Sequence, residues 1–186
     1  MLEFQRGSRE AFVELFARYR EPLYAFFRRR LDANERAEDL TQETFLAVIE
    51  ATPRYEQRAL FRTYLYAIAM NLLNAERRKQ VRSASAPLPD SVFRDESSDV
   101  FLWVRGAMDR LNVSDREILM LREYEHLSYA EISEVLRIPT NTVCSKLFRA
   151  REALKSHLDP QRRHGDEIRT RKAVREGNVK PTKDEV

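Results

Sequence analysis

The stretch Ser128-Tyr129-Ala130-Glu131-Ile132-Ser133-Glu134-Val135-Leu136-Arg137-Ile138-Pro139-Thr140-Asn141-Thr142-Val143 decides the fold of the C-terminal half. Ser128 and Glu131 stand at S-x-x-E spacing, at which a hydroxyl and a carboxylate satisfy the orphan amides of a helix start reciprocally. Ile132, Val135 and Leu136 follow on one helical face. Arg137-Ile138-Pro139 is a short turn, after which Val143, Leu147, Ala150 and Leu154 continue the helical spacing. Upstream, Ser114-Asp115-Arg116-Glu117 repeats the same start signal ahead of Ile118, Leu119 and Leu121. Two short helices joined by a tight turn, the second longer and basic, describe a helix-turn-helix. Arg137 occupies a turn position that costs about 1 kcal/mol if its φ is positive.

Charge separates along this half. Residues 137–158 hold five bases (Arg137, Lys146, Arg149, Arg151 and Lys155) against Glu152 alone, whereas residues 100–136 hold four arginines against seven acids. A phosphate backbone attracts the second helix of the motif and repels its supports, which orients docking.

Working outward, residues 83–99 are rich in Ser, Pro and Asp and lack helical periodicity, so they read as a flexible linker. The segment 159–186 is polar, charged and nearly free of aliphatic residues, a composition whose default is disorder. The folded material is then 1–82 and 100–158. In the first block Phe12, Leu15, Phe16 and Tyr19 make a one-sided apolar stripe. Pro22 is read as opening a further segment with Leu23, Phe26, Phe27 and Leu31. Asp32 and Glu35 offer a capping-box-like start to a helix carrying Leu40, Phe45, Val48 and Ile49. After a break at Thr52-Pro53, Leu65, Ile68, Ala69 and Leu72 repeat the helical spacing into the basic run Arg77-Arg78-Lys79. The expected fold is all-α: two small helical domains joined by a flexible linker.

The 186 residues contain only four glycines, where ordinary usage of ~7% would give about a dozen. Gly-rich phosphate loops and Gly-punctuated β-architectures are excluded on supply. The single cysteine, Cys144, forms no internal disulfide, no apolar run approaches the ~20 residues of a membrane span, and the N-terminus lacks the apolar block of a signal peptide. A cytoplasmic protein without membrane insertion is expected. His126, His157 and His164 sit in a loop, near a helix end and in the tail, with no H-x-x-x-H or Cys/His ligand spacing. No catalytic residue, metal or cofactor is expected, and the chain is read as a non-enzyme.

Three ordered motifs resemble a known family. Ala37-Glu38-Asp39-Leu40-Thr41-Gln42-Glu43-Thr44-Phe45-Leu46 is similar to the signature of conserved region 2 in extracytoplasmic-function sigma factors of bacterial RNA polymerase. Tyr64-Leu65-Tyr66-Ala67-Ile68-Ala69-Met70-Asn71, then Arg77-Arg78, resembles the promoter-reading end of that region. Leu111 through Leu154 resembles region 4, including Thr142-Val143-Cys144-Ser145-Lys146-Leu147-Phe148-Arg149-Ala150-Arg151. The likeness covers residues 8–158, in family order and spacing.

The resemblance implies that residues 1–82 bind core RNA polymerase and read and melt the −10 element, and that residues 100–158 read the −35 element. It implies docking of Asp39, Gln42 and Glu43 on the β′ coiled coil, with the β flap as a further core contact. Leu40 is read as core. Opening a duplex calls for flat side chains and amides on unstacked bases and for cations on phosphates; Tyr64, Asn71, Arg77 and Arg78 are the −10 candidates, with Tyr55 and Phe61 near the open strand. In the recognition helix, Ser145, Lys146 and Arg149 are expected at the −35 major groove, with Thr142 near the backbone. Phe148 is either core or an apolar DNA contact. Cys144 stands where relatives often carry a cation. Promoter DNA, core polymerase and an anti-sigma factor are the partners implied. A different class of function, a polymerase-independent helix-turn-helix regulator with an N-terminal sensing or dimerisation bundle, leaves the acidic motif and the Asn71 segment unexplained.

Overall fold

The apolar spacing of residues 12–27 folds as one helix, not two. In the computed structural model, which describes residues 1–31, 33–83 and 99–159, a short α1 (Leu2–Gln5) is followed by α2 (Arg9–Arg28). The Ser8 hydroxyl caps α2 by accepting the Ala11 N–H at 3.2 Å. Pro22 lies inside α2 and does not open a new segment. A proline there removes a ladder hydrogen bond, but Leu23, Phe26 and Phe27 immediately after it are fully buried, and that packing carries the helix through.

Helix α3 (Asn34–Ala51) begins after Ala33, with no side-chain cap. The expected cap residue Asp32 lies outside the described residues, and Glu35 sits in the first turn, where the helix dipole favours a carboxylate. The hydroxyls of Thr41, Thr44 and Thr52 are buried and donate to the carbonyls of Ala37, Leu40 and Val48 at 2.7, 2.7 and 2.8 Å. The Thr52-Pro53 break is a 3₁₀ turn, Thr52–Arg54. The Gln5 amide donates to the Thr52 and Tyr55 carbonyls, both at 3.0 Å, and pins α1 to that turn. The long α4 (Phe61–Ser83) packs on α3 and completes the bundle.

The remaining helices are α5 (Asp99–Asp109), α6 (Val113–Glu123), α7 (Tyr129–Leu136) and α8 (Thr140–His157). No strand occurs among the described residues. The fold is all-α, as the sequence predicts. Residues 84–98 and 160–186, the body of the expected linker and of the expected tail, lie outside the described residues.

Of the two S-x-x-E starts expected in the C-terminal half, one forms and one does not. The Ser128–Glu131 box forms: the Glu131 N–H donates to the Ser128 hydroxyl at 3.2 Å and the Ser128 N–H to the Glu131 carboxylate at 2.8 Å. The Ser114–Glu117 box does not. Helix α6 starts two residues earlier, capped by the Asn112 side-chain carbonyl, which accepts the Asp115 N–H at 2.9 Å. Glu117 is thereby released to a partner outside its own helix.

Arg137 ends α7 in the left-handed conformation, at φ 53° and ψ 46°. The strain foreseen for it is therefore present. Arg137→Gly is expected to raise stability by about 1 kcal/mol, read as a higher urea midpoint with an unchanged slope.

Candidate nucleic-acid and polymerase interfaces

Helix α8 divides cleanly into two faces. Val143, Leu147 and Ala150 are buried against the supports, while Asn141, Cys144, Ser145, Phe148, Arg149 and Glu152 point away from them and are exposed. Phe148 is 68% exposed, so it is surface and not core. Of the four expected −35 residues, Ser145 and Arg149 lie on this outward face, and Thr142 is half-buried at its start. The Ser145 hydroxyl donates to the Thr142 carbonyl at 3.1 Å and Arg149 Nε to the Ser145 carbonyl at 3.3 Å, which lays both side chains along the helix. Lys146 turns the other way. Its Nζ donates to the Ser114 hydroxyl at 2.9 Å and ties α8 to α6. Arg151 is likewise held, by Glu123 at 2.8 Å.

Helix α4 also carries two faces. Asn71 and Arg78, seven residues apart, are exposed together. Tyr64, seven residues before Asn71, is half-buried, its ring edge-on to Tyr55 with centroids 5.0 Å apart and 6.4 Å from Phe61. Burial pushes both tyrosine hydroxyls up in pKa, so they remain neutral donors. Leu65, Ala69 and Leu73 are buried, with Ile68 and Leu72 packed against that core.

Arg77 is not with Asn71 and Arg78. It belongs to the face of α4 turned toward the C-terminal domain, where it meets Glu117 at 3.1 Å. Glu117 also holds Arg30 at 2.6 Å, and Glu125 holds Arg30 at 3.0 Å and Arg29 at 3.1 Å. Tyr66 donates its hydroxyl to Glu125 at 3.4 Å, and burial pushes that phenol up. The Arg30 side chain is fully buried and Glu125 is 2% exposed. Farther along, Arg62 grips Glu131 at 2.7 and 2.8 Å, and Thr63 donates to it at 3.2 Å. Burial alone would raise the Glu131 carboxyl, but Arg62 and the Ser128 hydroxyl and N–H outweigh it and hold it at about 2. Burial likewise opposes ionisation of Glu117, and Arg30 and Arg77 overcome it, holding that carboxyl below the usual range.

These cross-domain pairs were not foreseen. Two local signals pointed to them: an acidic surplus in residues 100–136, and three consecutive arginines, Arg28-Arg29-Arg30, at the end of α2.

A third surface lies on α3. Asp39, Gln42, Leu46 and Ile49 fall at i, i+3, i+7 and i+10 and are all exposed. Leu46 is 58% and Ile49 40% exposed, an apolar continuation of the polar pair that the sequence reading left out. Leu40 is buried, as expected. Glu43 is half-buried and bound to Arg36 at 2.9 Å; Arg36 also reaches Glu76 on α4 at 2.8 Å and Asp39 at 3.5 Å. Its hydrogen bond to Arg36 lowers the Glu76 carboxyl. Arg36, held by Glu43 on its own helix, therefore ties α3 to Glu76 of α4, while Asp39, paired with the same arginine, and Gln42 remain exposed.

Among the described residues no group of three or more His, Cys, Asp or Glu could hold a metal, and no helix is long and apolar enough to cross a membrane.

Comparison with known proteins covers both helical domains. The family model described as Sigma-70 region 2 matches residues 15–83, and that described as Sigma-70, region 4 matches residues 101–154. The RNA polymerase sigma-H factor of Pseudomonas aeruginosa is 30% identical over 84% of this chain and 90% of its own length. The ECF RNA polymerase sigma factor SigC of Mycobacterium tuberculosis is 36% identical over 67% of this chain and 71% of its own length. In fold, the chain resembles the sigma factor RpoE of Bartonella quintana, solved with the anti-sigma factor NepR, at a TM-score of 0.70 and 21% identity over 80% of this chain and 97% of that one. CnrH, solved with the cytosolic domain of CnrY, gives a TM-score of 0.65 at 23% identity over 85% of this chain and 94% of that one. The matches fall on both helical domains, which displaces the reading as a polymerase-independent regulator: the chain belongs to the extracytoplasmic-function sigma factors of the sigma-70 family, the promoter-specificity subunits of bacterial RNA polymerase.

Proposed function

We propose that this sigma factor docks on core polymerase through the exposed face of α3, reads the −10 element with the Tyr64–Arg78 stretch of α4, and reads the −35 element with the outward face of α8. The observation that carries the reading is the α3 face. Asp39 and Gln42 are exposed beside exposed Leu46 and Ile49, a combination of apolar anchor and polar rim that suits a protein partner. The β′ coiled coil is the core element this face fits, with the β flap left to the C-terminal domain. Asn71 supplies amide hydrogen bonds for an unstacked base, and Arg78 a cation for the phosphates beside it. On α8, Arg149 suits a guanine edge or a phosphate, and Phe148 suits a thymine methyl. The RpoE–NepR likeness supports an anti-sigma factor as a further partner, and cytoplasmic residence follows from the polymerase it serves.

The test is run-off transcription by core polymerase with and without this protein on a pool of genomic fragments. Discrete start sites that require the protein are expected, and absence of any binding to core polymerase overturns the reading. Asp39→Arg is expected to weaken core binding about tenfold, roughly 1.4 kcal/mol, in a fluorescence anisotropy titration, with the urea midpoint unchanged because Asp39 is exposed.

A further inference from the structure

We infer that the cavity walled by the end of α2 and by α4, α5 and α6 is a binding site for a phosphate group, carried by inorganic phosphate or by a small phosphomonoester. Arg29, Arg30 and Arg116 hold its oxygens. The site is argued from side chains alone and stands independently of the sigma-factor reading.

The cavity measures about 190 Å³, more than about ten times what a single water needs. Five arginines line it: Arg29 and Arg30 at the end of α2, Arg77 on α4, Arg105 on α5 and Arg116 on α6. Met108, Met120 and Tyr124 supply an apolar wall. Its size suits a small anion rather than a large cofactor, and an apolar wall with a few converging polar groups is the make-up of a ligand pocket.

Negative charge is short there. Arg29, Arg30 and Arg77 share two carboxylates, and both are committed on both oxygens. Glu117 accepts from Arg30 and Arg77, and Glu125 from Arg29, Arg30 and the Tyr66 hydroxyl. The cavity wall also carries Asp109, which is 46% exposed and answers Arg116 at 3.3 Å and Arg105 at 3.9 Å. Among the described residues, four guanidinium groups thus meet three carboxylates even with Arg105 left aside.

Acceptors are short as well. The Arg30 guanidinium is locked in place: Nε donates to Glu117 at 2.6 Å, and Nη1 to Glu125 at 3.0 Å and to the Phe26 carbonyl at 2.9 Å. It lies 3.8 Å from the centroid of the Phe26 ring. Its side chain is fully buried, and Nη2 has no acceptor. Arg29 Nε and Arg116 Nε are likewise buried without one. A buried charged donor left unpaired is costly, and a rigid guanidinium fork held on its other edges cannot turn away to relieve the cost. All three side chains line the same cavity. A phosphate brings several strong acceptor oxygens and up to two negative charges, so it answers both shortages at once. The full burial of Arg30 keeps the backbone of a duplex away from it, which assigns the phosphate to a small molecule.

The test is isothermal titration calorimetry of the full chain in phosphate-free buffer, with phenyl phosphate, inorganic phosphate and phenyl sulfate as probes. At about pH 7.5 the phosphomonoester is a dianion, and phenyl sulfate is its singly charged mimic. Saturable binding of one phenyl phosphate per chain is expected, displaced by inorganic phosphate. Phenyl sulfate is expected to bind at least about tenfold more weakly. Arg116→Gln is expected to weaken phenyl phosphate binding about tenfold, the scale of one charge-assisted hydrogen bond. Asp109→Asn, which removes the wall's carboxylate, is expected to strengthen it several-fold. Met108→Trp keeps every charge and fills the space, and is expected to abolish binding while circular dichroism shows the helices kept. If that variant loses its helices, Arg116→Gln decides alone. Absence of saturable binding to the wild type overturns the site. So does binding that Arg116→Gln and Met108→Trp leave unchanged, since the anion then sits elsewhere on this arginine-rich chain. Phenyl sulfate binding as tightly as phenyl phosphate overturns the assignment to phosphate. Equal affinities for the two phosphates support the site with free phosphate as its ligand, and a preference for phenyl phosphate supports it with the monoester. No polymerase or DNA enters the measurement, so its failure and a failure of the sigma-factor reading are told apart.

Discussion

Leu147→Ala is expected to destabilise the chain by about 2–5 kcal/mol, the largest effect of any single substitution considered. Leu147 is fully buried where α8 meets the two helices that support it. Its removal deletes apolar contact and leaves a cavity that the short α7 cannot collapse to fill. The readout is intrinsic, because the only tryptophan, Trp103, sits on α5, which packs against α8. Its fluorescence should report a urea midpoint shifted well below that of the wild type. A shift under about 1 kcal/mol would mean that α8 is held mainly by its polar ties, the Lys146–Ser114 and Arg151–Glu123 contacts.

Arg149→Ala is expected to cut affinity for the −35 element by about 5- to 150-fold, the equivalent of about 1–3 kcal/mol for a lost base-edge contact. Arg149 is exposed, and its one hydrogen bond runs to its own helix backbone, so nothing in the fold depends on it. Helix content and the urea midpoint should therefore be unchanged. The pattern of loss separates two roles. A base-reading arginine relaxes specificity at one position, whereas a phosphate contact weakens all sequences alike and lowers the salt dependence by about one unit. Lys146→Ala provides the contrast. Its ammonium is engaged by Ser114, and a small change in stability with little change in affinity is expected.

Where the sequence spoke locally, the structure followed it. The Ser128–Glu131 box, the left-handed Arg137 and the two faces of α8 all rest on spacings of four residues or fewer, within which backbone geometry leaves little freedom. At Pro22 the local rule lost, because burial of Leu23, Phe26 and Phe27 outweighs one missing hydrogen bond. At α6 two starts fit the local chemistry, one at Asn112 with Asp115 and one at Ser114 with Glu117. The choice is made at long range, since Glu117 is drawn to Arg30 and Arg77 and Ser114 accepts Lys146.

The acids of residues 100–136 read as a surface that DNA would repel, and no spacing rule connects Glu125 to arginines 95 and 96 residues earlier. Such pairs become visible only once two helical domains are brought together. The apolar half of the α3 face was missed for a different reason. Ile49 has the spacing of a core residue, and only the packing of α2 and α4 on α3 shows which of its apolar positions stay uncovered.

Glu131 carries an evolutionary consequence. One carboxylate accepts the Ser128 N–H that begins α7 and also the Arg62 guanidinium of the other domain. A mutation there is penalised twice, once in the folding of the DNA-reading motif and once in the coupling of the domains. The opposite side of the contact is under no such double constraint, because Arg62 caps nothing. Drift in the strength of the coupling is therefore channelled to the N-terminal partner, where a change of one basic side chain can retune the contact between the two domains while the helix-turn-helix stays intact.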